Sequence, residues 1–188
     1  MPEDRKLALI ITDDDPASDG VKTETVLGHL FQVIENGEAP MLRFSECVPM
    51  ALFCGKMVIV CEDEVTFKWT ICAINTMCQP HTATPFIKFY NLIRATTIVP
   101  VTPFCKPSCE IFRFLEVQNE GIVTDKWVLM QRCGLDPCAC TNPMPPQNIF
   151  DNEVIELYMD QESKCIIEST CSKLKFIYWT IEFKFECS

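Results

Sequence analysis

The beginning of the chain changes from an apolar stretch to an acidic stretch and then to a periodic one. Residues 6 to 12 form a short, mostly apolar segment, which predicts a buried strand. Aspartates, Pro16 and Gly20 fill positions 13 to 20, a composition typical of a loop. Asn36 and Gly37 then supply a helix stop. Between the loop and this stop, apolar residues recur at the spacing of one helix face: Val26, Leu27, Leu30, Phe31 and Ile34.

Beyond residue 41 the apolar positions follow a period of two, which is typical of strands. Residues 57 to 61 are all apolar and predict a buried strand. Residues 67 to 73 alternate between apolar and polar side chains, which predicts a half-buried strand. The stretch from 86 to 97 fits a strand and a helix equally well.

Two hairpins are predicted in the second half of the chain. Strands at 111 to 117 and 122 to 130 flank a connection that ends in Gly121, and strands at 154 to 159 and 165 to 168 flank a polar turn. The final strand has the most regular alternation. We expect one set of its side chains to face the core: Ile177, Trp179, Ile181, Phe183 and Phe185.

This pattern predicts an α+β protein that is mainly β. Short antiparallel strands separated by turns favour a β-sandwich or a barrel-like core, with one helix near the N-terminus. The length of 188 residues favours a single compact domain over residues 1–188. Three prolines between residues 140 and 147 mark a candidate internal hinge.

The net charge of the chain disfavours two classes of binding partner, nucleic acids and anionic membranes. A formal net charge of -10 and a pI of about 4.7 disfavour nucleic acid, because binding to phosphates requires clustered lysine and arginine. The same argument disfavours anionic membrane surfaces. No apolar run is longer than five residues, whereas a membrane-spanning helix needs about 20. A soluble protein that binds another protein is the expectation.

The cysteine content constrains the compartment. Thirteen cysteines cannot all pair within one chain, so at least one sulfur is a thiol, a ligand or an intermolecular partner. The N-terminal residues lack a signal-peptide core, and the sequence has no Asn-x-Ser/Thr glycosylation site. We therefore expect a reduced, cytoplasmic protein; the alternative is a secreted, disulfide-bonded domain whose leader was removed.

One group of cysteines is a candidate zinc site. In the middle predicted hairpin, Cys109 falls opposite Met130, so cysteines that enter and leave the hairpin would meet at its base. The spacings differ from the paired Cys-x2-Cys of zinc ribbons, and disulfides or plain buried thiols explain the group equally well. The candidate ligands are Cys105, Cys109, Cys133, Cys138 and Cys140.

Enzymatic readings have weaker support. Asp13, Asp14 and Asp15 follow a predicted strand and could bind Mg²⁺, although a solvated turn is favoured. Cys78 and His81 could form a nucleophile and base pair only if they meet in space. The chain has no Gly-x-Ser-x-Gly, P-loop or dinucleotide-binding motif.

The leading prediction is therefore a non-enzymatic, protein-binding domain without a cofactor. The alternatives are a zinc-stabilised interaction module and a cysteine- or Mg-dependent enzyme.

Overall fold

The computed structural model describes residues 4–13, 20–37, 39–46, 49–77, 81–100, 107–134 and 152–186. The chain divides into an N-terminal unit, Asp4–Phe89, and a C-terminal unit that contains Tyr90–Ser188. Each unit has an antiparallel sheet, and the described residues contain more strand than helix. The predicted α+β class with dominant β content is thus confirmed.

The N-terminal unit begins with a 3₁₀ turn, Asp4–Leu7, and continues through four strands and three helices. Their bounds are β1 Ala8–Asp13, α1 Thr23–Glu35, β2 Met50–Phe53, β3 Lys56–Val60, α2 Glu64–Asn75, β4 His81–Pro85 and α3 Phe86–Phe89. The sheet order is β2-β3-β1-β4, and every neighbouring pair is antiparallel. Its core lies between this sheet and two helices, and includes Leu9, Ile11 and Ile59 from the strands, Val26 and Leu30 from α1, and Ile74 from α2.

The C-terminal unit has five strands and two helices. Their bounds are β5 Ile93–Pro100, α4 Ser108–Gln118, β6 Val128–Gly134, β7 Asn152–Met159, α5 Gln161–Ser169, β8 Lys173–Phe176 and β9 Trp179–Phe185. The sheet order is β6-β7-β5-β9-β8, again with antiparallel neighbours. A second core lies between this sheet and its helices, with Trp127 and Phe183 among its completely enclosed side chains.

The two units share one topology. Apart from β8 and the short helix α3, each follows the order strand, helix, strand, strand, helix, strand, and in each sheet the first strand lies between the third and the fourth. This is the split β-α-β arrangement of ferredoxin-like folds. The chain therefore contains the same arrangement twice, although its sequence shows no repeat of fixed period.

The second helix of each unit begins in the same way. Asp63 precedes α2 and accepts a hydrogen bond from the Thr66 N–H at 2.7 Å. Asp160 precedes α5 and accepts one from the Ser163 N–H at 3.0 Å. An aspartate that caps the free N–H groups of the first turn is among the most effective helix starts.

Three predicted strands are wrong, because residues 67 to 73, 111 to 117 and 165 to 168 lie in α2, α4 and α5. The buried residues of α4 show the helical spacing: Ser108, Ile111, Phe112 and Leu115. The predicted hairpin between 111 and 130 therefore does not form, and the expectation that Cys109 lies opposite Met130 falls with it. The expectation of one helix is also wrong, since the described residues form five.

Other local predictions are confirmed. The helix near the N-terminus is α1, the strands at 6 to 12 and 57 to 61 correspond to β1 and β3, and the ambiguous stretch at 86 to 97 divides into α3 and the beginning of β5. In β9, Ile181 and Phe183 face the core as expected, while Trp179 and Phe185 are half-buried. Ile177 lies in the turn before β9 and not in the strand.

The predicted single domain over 1–188 remains a prediction, and a calorimetric scan tests it: one cooperative transition is expected. The candidate hinge at 140–147 lies outside the described residues.

Candidate interaction surface

The connection between β8 and β9 is a two-residue turn with an unusual backbone. Phe176 pairs with Trp179, so Ile177 and Tyr178 form the whole loop. Ile177 has a φ of 57°, whereas glycine, asparagine or aspartate usually occupies a first loop position with positive φ in such hairpins. A β-branched residue in this region is a real outlier and costs on the order of 1–3 kcal/mol.

A side chain from α4 holds this turn in place. The amide of Gln118 donates from Nε2 to the Ile177 carbonyl at 3.1 Å and accepts at Oε1 from the Ile177 N–H at 2.6 Å. The Ile177 side chain packs against the C-terminal core. The strained residue is therefore fixed by two hydrogen bonds from the Gln118 side chain to its main chain and by the packing of its own side chain.

The turn presents an aromatic side chain to solvent. Tyr178 is 91% exposed, and its ring contacts the Trp179 ring edge-to-face with centroids 6.0 Å apart. Tyrosine and tryptophan are enriched among the residues that dominate protein–protein binding energy. A backbone fixed before binding also lowers the entropic cost of association. We call Ile177, Tyr178 and Trp179 the hairpin tip.

The outward face of the C-terminal sheet has a different chemistry. Arg94 on β5 forms ion pairs with Glu156 on β7 at 2.7 Å and with Glu186 at 2.8 Å. The hydrogen bond that Arg94 donates to Glu156, followed by the charge of Glu186, raises the pKa of Arg94. Sheets that bind RNA stack bases on aromatic side chains of such a face. On β5 and β7, Tyr158 is the single aromatic on this face, and it lies opposite Arg94 in this charged cluster.

The structure describes two of the five candidate zinc ligands. Cys109 is half-buried in the first turn of α4, and Cys133 is exposed on β6. The other three, Cys105, Cys138 and Cys140, lie outside the described residues. Among the described residues, no three His, Cys, Asp or Glu side chains are grouped closely enough to hold a metal ion.

The two described ligands point to different sides of the sheet. Arg132 extends toward α4, where its Nη1 lies 3.5 Å from the Ser108 hydroxyl. The next residue on β6, Cys133, therefore projects from the opposite face, where the Gln131 amide donates to its sulfur at 2.7 Å. The zinc site remains a prediction that metal analysis of protein purified under reducing conditions tests.

The structure describes only some of the residues on which the two enzymatic hypotheses rest. Asp13 lies directly opposite His81 across the β1–β4 pair, and His81 is buried. Asp14, Asp15 and Cys78 lie outside the described residues.

The seven cysteines that the structure describes are all free thiols. Cys61 is the buried one of these, and burial, the largest influence, raises its pKa to about 11. The nearby Thr70 hydroxyl, 3.9 Å from the sulfur, acts in the opposite direction and only partly offsets this effect.

In the part of the chain that the structure describes, the helices are all too short or too polar to cross a membrane. The observations define an α+β protein of two ferredoxin-like units, of which the second displays an aromatic hairpin tip. The family model described as Domain of unknown function (DUF4780) matches residues 1–184, so the chain belongs to the DUF4780 family. No curated protein matches the chain.

The hairpin tip is a functional candidate that sequence patterns missed. The alternation that predicts the final strand includes Ile177 as a core-facing residue, so it gives no sign of a turn at this position. One sequence feature that relates to the tip is the polar pair Gln118–Asn119 at the end of α4. We call the two hydrogen bonds between Gln118 and Ile177 the clamp. The partners of Gln118 and Asn119 lie 56 to 59 residues further along the chain, beyond the range of any local pattern.

Proposed function

We propose that this protein is a non-enzymatic binding protein and that the hairpin tip is where it recognises another protein. The observation that carries the proposal is Ile177, a β-branched residue held at positive φ by Gln118. Backbone strain persists only where surrounding contacts impose it, and it concentrates at functional sites. Here the strained backbone fixes the turn that displays Tyr178 to solvent.

The composition of the C-terminal sheet and the net charge of the chain favour protein over nucleic acid as the partner. The outward face of β5 and β7 carries the Arg94–Glu156 ion pair where an RNA-binding sheet requires several stacking aromatics. The net charge of -10 opposes approach of a polyanion. An aromatic pair on a tight turn fits instead into an apolar pocket of a folded partner.

The expected contribution of Tyr178 is large. Truncating an aromatic at the centre of an interface costs about 2 kcal/mol or more, which corresponds to a loss of affinity of roughly 30-fold. Because Tyr178 is almost fully exposed in the free protein, the truncation removes no core packing. Binding and folding are therefore separable at this position.

Quantitative affinity purification tests the proposal. Wild type, Tyr178→Ala and a control, Met41→Ala, serve as baits; Met41 is also highly exposed and apolar but lies in the N-terminal unit. A partner that wild type and Met41→Ala retain and Tyr178→Ala loses supports the proposal. Equal recovery on all three baits, or the absence of any stable partner, contradicts it.

A cytoplasmic location belongs to the same proposal. The free thiols of the described cysteines fit a reducing compartment, because exposed cysteines would pair or oxidise elsewhere. Intact mass under non-reducing conditions, with and without alkylation, counts the thiols directly. A fully alkylated protein is the expected result, and several protected sulfurs that react only after reduction would contradict it.

A further inference from the structure

Strand β8 occupies one edge of the C-terminal sheet. An edge strand normally presents a row of unpaired N–H and C=O groups, which can pair with a strand of another molecule. In β8 the N–H and C=O groups of every second residue pair with β9, and those of the residues between them point outward. These outward residues are Lys173, Lys175 and, in the turn, Ile177.

Two neighbouring side chains at the end of α4 occupy most of this edge. The Asn119 amide accepts from the Lys175 N–H at 2.8 Å and donates to the Lys175 carbonyl at 2.9 Å. Gln118 bonds both main-chain groups of Ile177 in the same way, as described above. Each amide thus reproduces the hydrogen bonds that a neighbouring strand would make.

The remaining position is closed by Thr170, which follows α5. The Lys173 N–H donates to the Thr170 carbonyl at 3.3 Å, and the Thr170 hydroxyl shares its proton between the Lys173 carbonyl at 2.7 Å and the Ile167 carbonyl at 2.8 Å. All six outward main-chain groups of the edge are therefore satisfied from within the unit. We call Gln118, Asn119 and Thr170 the edge guard.

We propose that the edge guard prevents two copies of this protein from associating edge to edge. Without it, β8 of one copy would pair with β8 of the other. An antiparallel pair of identical strands satisfies the same groups in both molecules by two-fold symmetry. The lysines of β8 add a second barrier, because two copies would bring like charges together. This inference shares the Gln118–Ile177 hydrogen bonds with the proposed function but does not require Tyr178 to contact a partner, so Tyr178→Ala should leave the oligomeric state unchanged.

Sedimentation velocity over a range of concentrations tests the inference. We expect wild type to remain monomeric and Gln118→Ala/Asn119→Ala to form a dimer whose population rises with concentration. Higher ionic strength should strengthen this dimer, because salt screens the repulsion between the lysines. Gln32→Ala, which removes an exposed amide from α1, is the matched control and should behave as wild type.

A further variant shows whether the edge itself is the interface. Lys175→Pro removes one outward N–H and leaves the ladder with β9 intact, so Gln118→Ala/Asn119→Ala/Lys175→Pro should return to a monomer. Hydrogen exchange at residues 173 to 177 confirms that the edge is open in the double variant. If that variant exchanges rapidly there but stays monomeric, or if the proline does not abolish the dimer, the inference is overturned.

If the double alanine variant does not fold, a charged pair of substitutions replaces it. Gln118→Glu/Asn119→Asp preserves size and the accepting oxygens but loses both donors, so the carbonyls of Lys175 and Ile177 are released. The same association is expected through the released carbonyls, and a folded variant that stays monomeric overturns the inference.

Discussion

Phe183 provides the sharpest test of how the C-terminal unit is held together. Its side chain is 2% exposed in the middle of β9, and its ring lies edge-to-face against Trp127 with centroids 6.1 Å apart. Trp127 is itself completely buried between the sheet and the helices. Phe183→Ala removes the ring from this cluster and leaves a cavity beside Trp127.

The expected loss of stability in Phe183→Ala follows from the size of the deleted ring. Truncating a buried phenylalanine to alanine costs about 3–5 kcal/mol, because the transfer free energy and the new cavity both contribute. The total stability of a domain is only about 5–15 kcal/mol. We therefore expect Phe183→Ala to lose a large part of its free energy of unfolding and most of its soluble expression.

Lys184→Ala is the matched control. Lys184 is the next residue on the same strand, is exposed, and lies opposite Thr96. Surface substitutions of this kind change stability by about 0.5 kcal/mol or less. Phe183→Leu, which keeps most of the apolar volume, should fall between the two variants.

Urea denaturation followed by circular dichroism measures the three variants against wild type. The order of stability should be Lys184→Ala, then Phe183→Leu, then Phe183→Ala. If Phe183→Ala and Lys184→Ala were equally stable, β9 would be peripheral and the reasoning about this core would be refuted.

Three further predictions concern titratable groups. Because burial raises the Cys61 pKa from 9.0 to about 11, the folded state binds its proton more tightly than the unfolded state, so the free energy of unfolding should fall as the pH rises from 9 to 11. Cys61→Ala should lack this part of the slope in denaturation measured across that range. At pH 8, alkylation followed by mass spectrometry should modify exposed Cys54 well before Cys61, and equal rates would contradict the burial. The hydrogen bond from the Thr66 N–H, the largest influence, lowers the Asp63 pKa from 3.8; its stabilisation is therefore present above that pH and lost as the pH falls below it. Asp63→Asn keeps a capping oxygen without the charge, so acid should destabilise it less than wild type; an identical acid response would refute the assignment.

The strands were easier to predict than the helices, and α2 shows why. Its sequence alternates by coincidence, while the side chains that face the core at helical spacing include two threonines. The structure satisfies their polar atoms: the Thr70 hydroxyl donates to the Thr66 carbonyl at 2.8 Å, and the Thr66 hydroxyl accepts from the Arg43 N–H at 2.8 Å. Polar residues that carry their own hydrogen bonds can occupy a core, but a pattern of hydropathy assigns them to the surface. The aspartate caps Asp63 and Asp160 were the available helix signals.

The candidate site depended even more on distant contacts. Nothing local in Ile177 and Tyr178 indicates a tight turn, since neither is a usual turn former. The conformation exists because Gln118, far away in the chain, binds the main chain of Ile177. By contrast, the burial of Ile181 and Phe183 followed directly from alternation, because one side of β9 packs on the core and the other meets solvent.

The clamp at the hairpin tip contacts main-chain atoms only. Gln118 bonds the N–H and carbonyl of Ile177, and neither bond depends on which side chain follows at position 178. Strand β8 of this hairpin is also the strand that the second sheet has in addition to the four-stranded arrangement of the first. Residue 178 could therefore be randomised in a display library while both cores keep their sequences, which makes the C-terminal unit a natural scaffold for selecting new binding specificities.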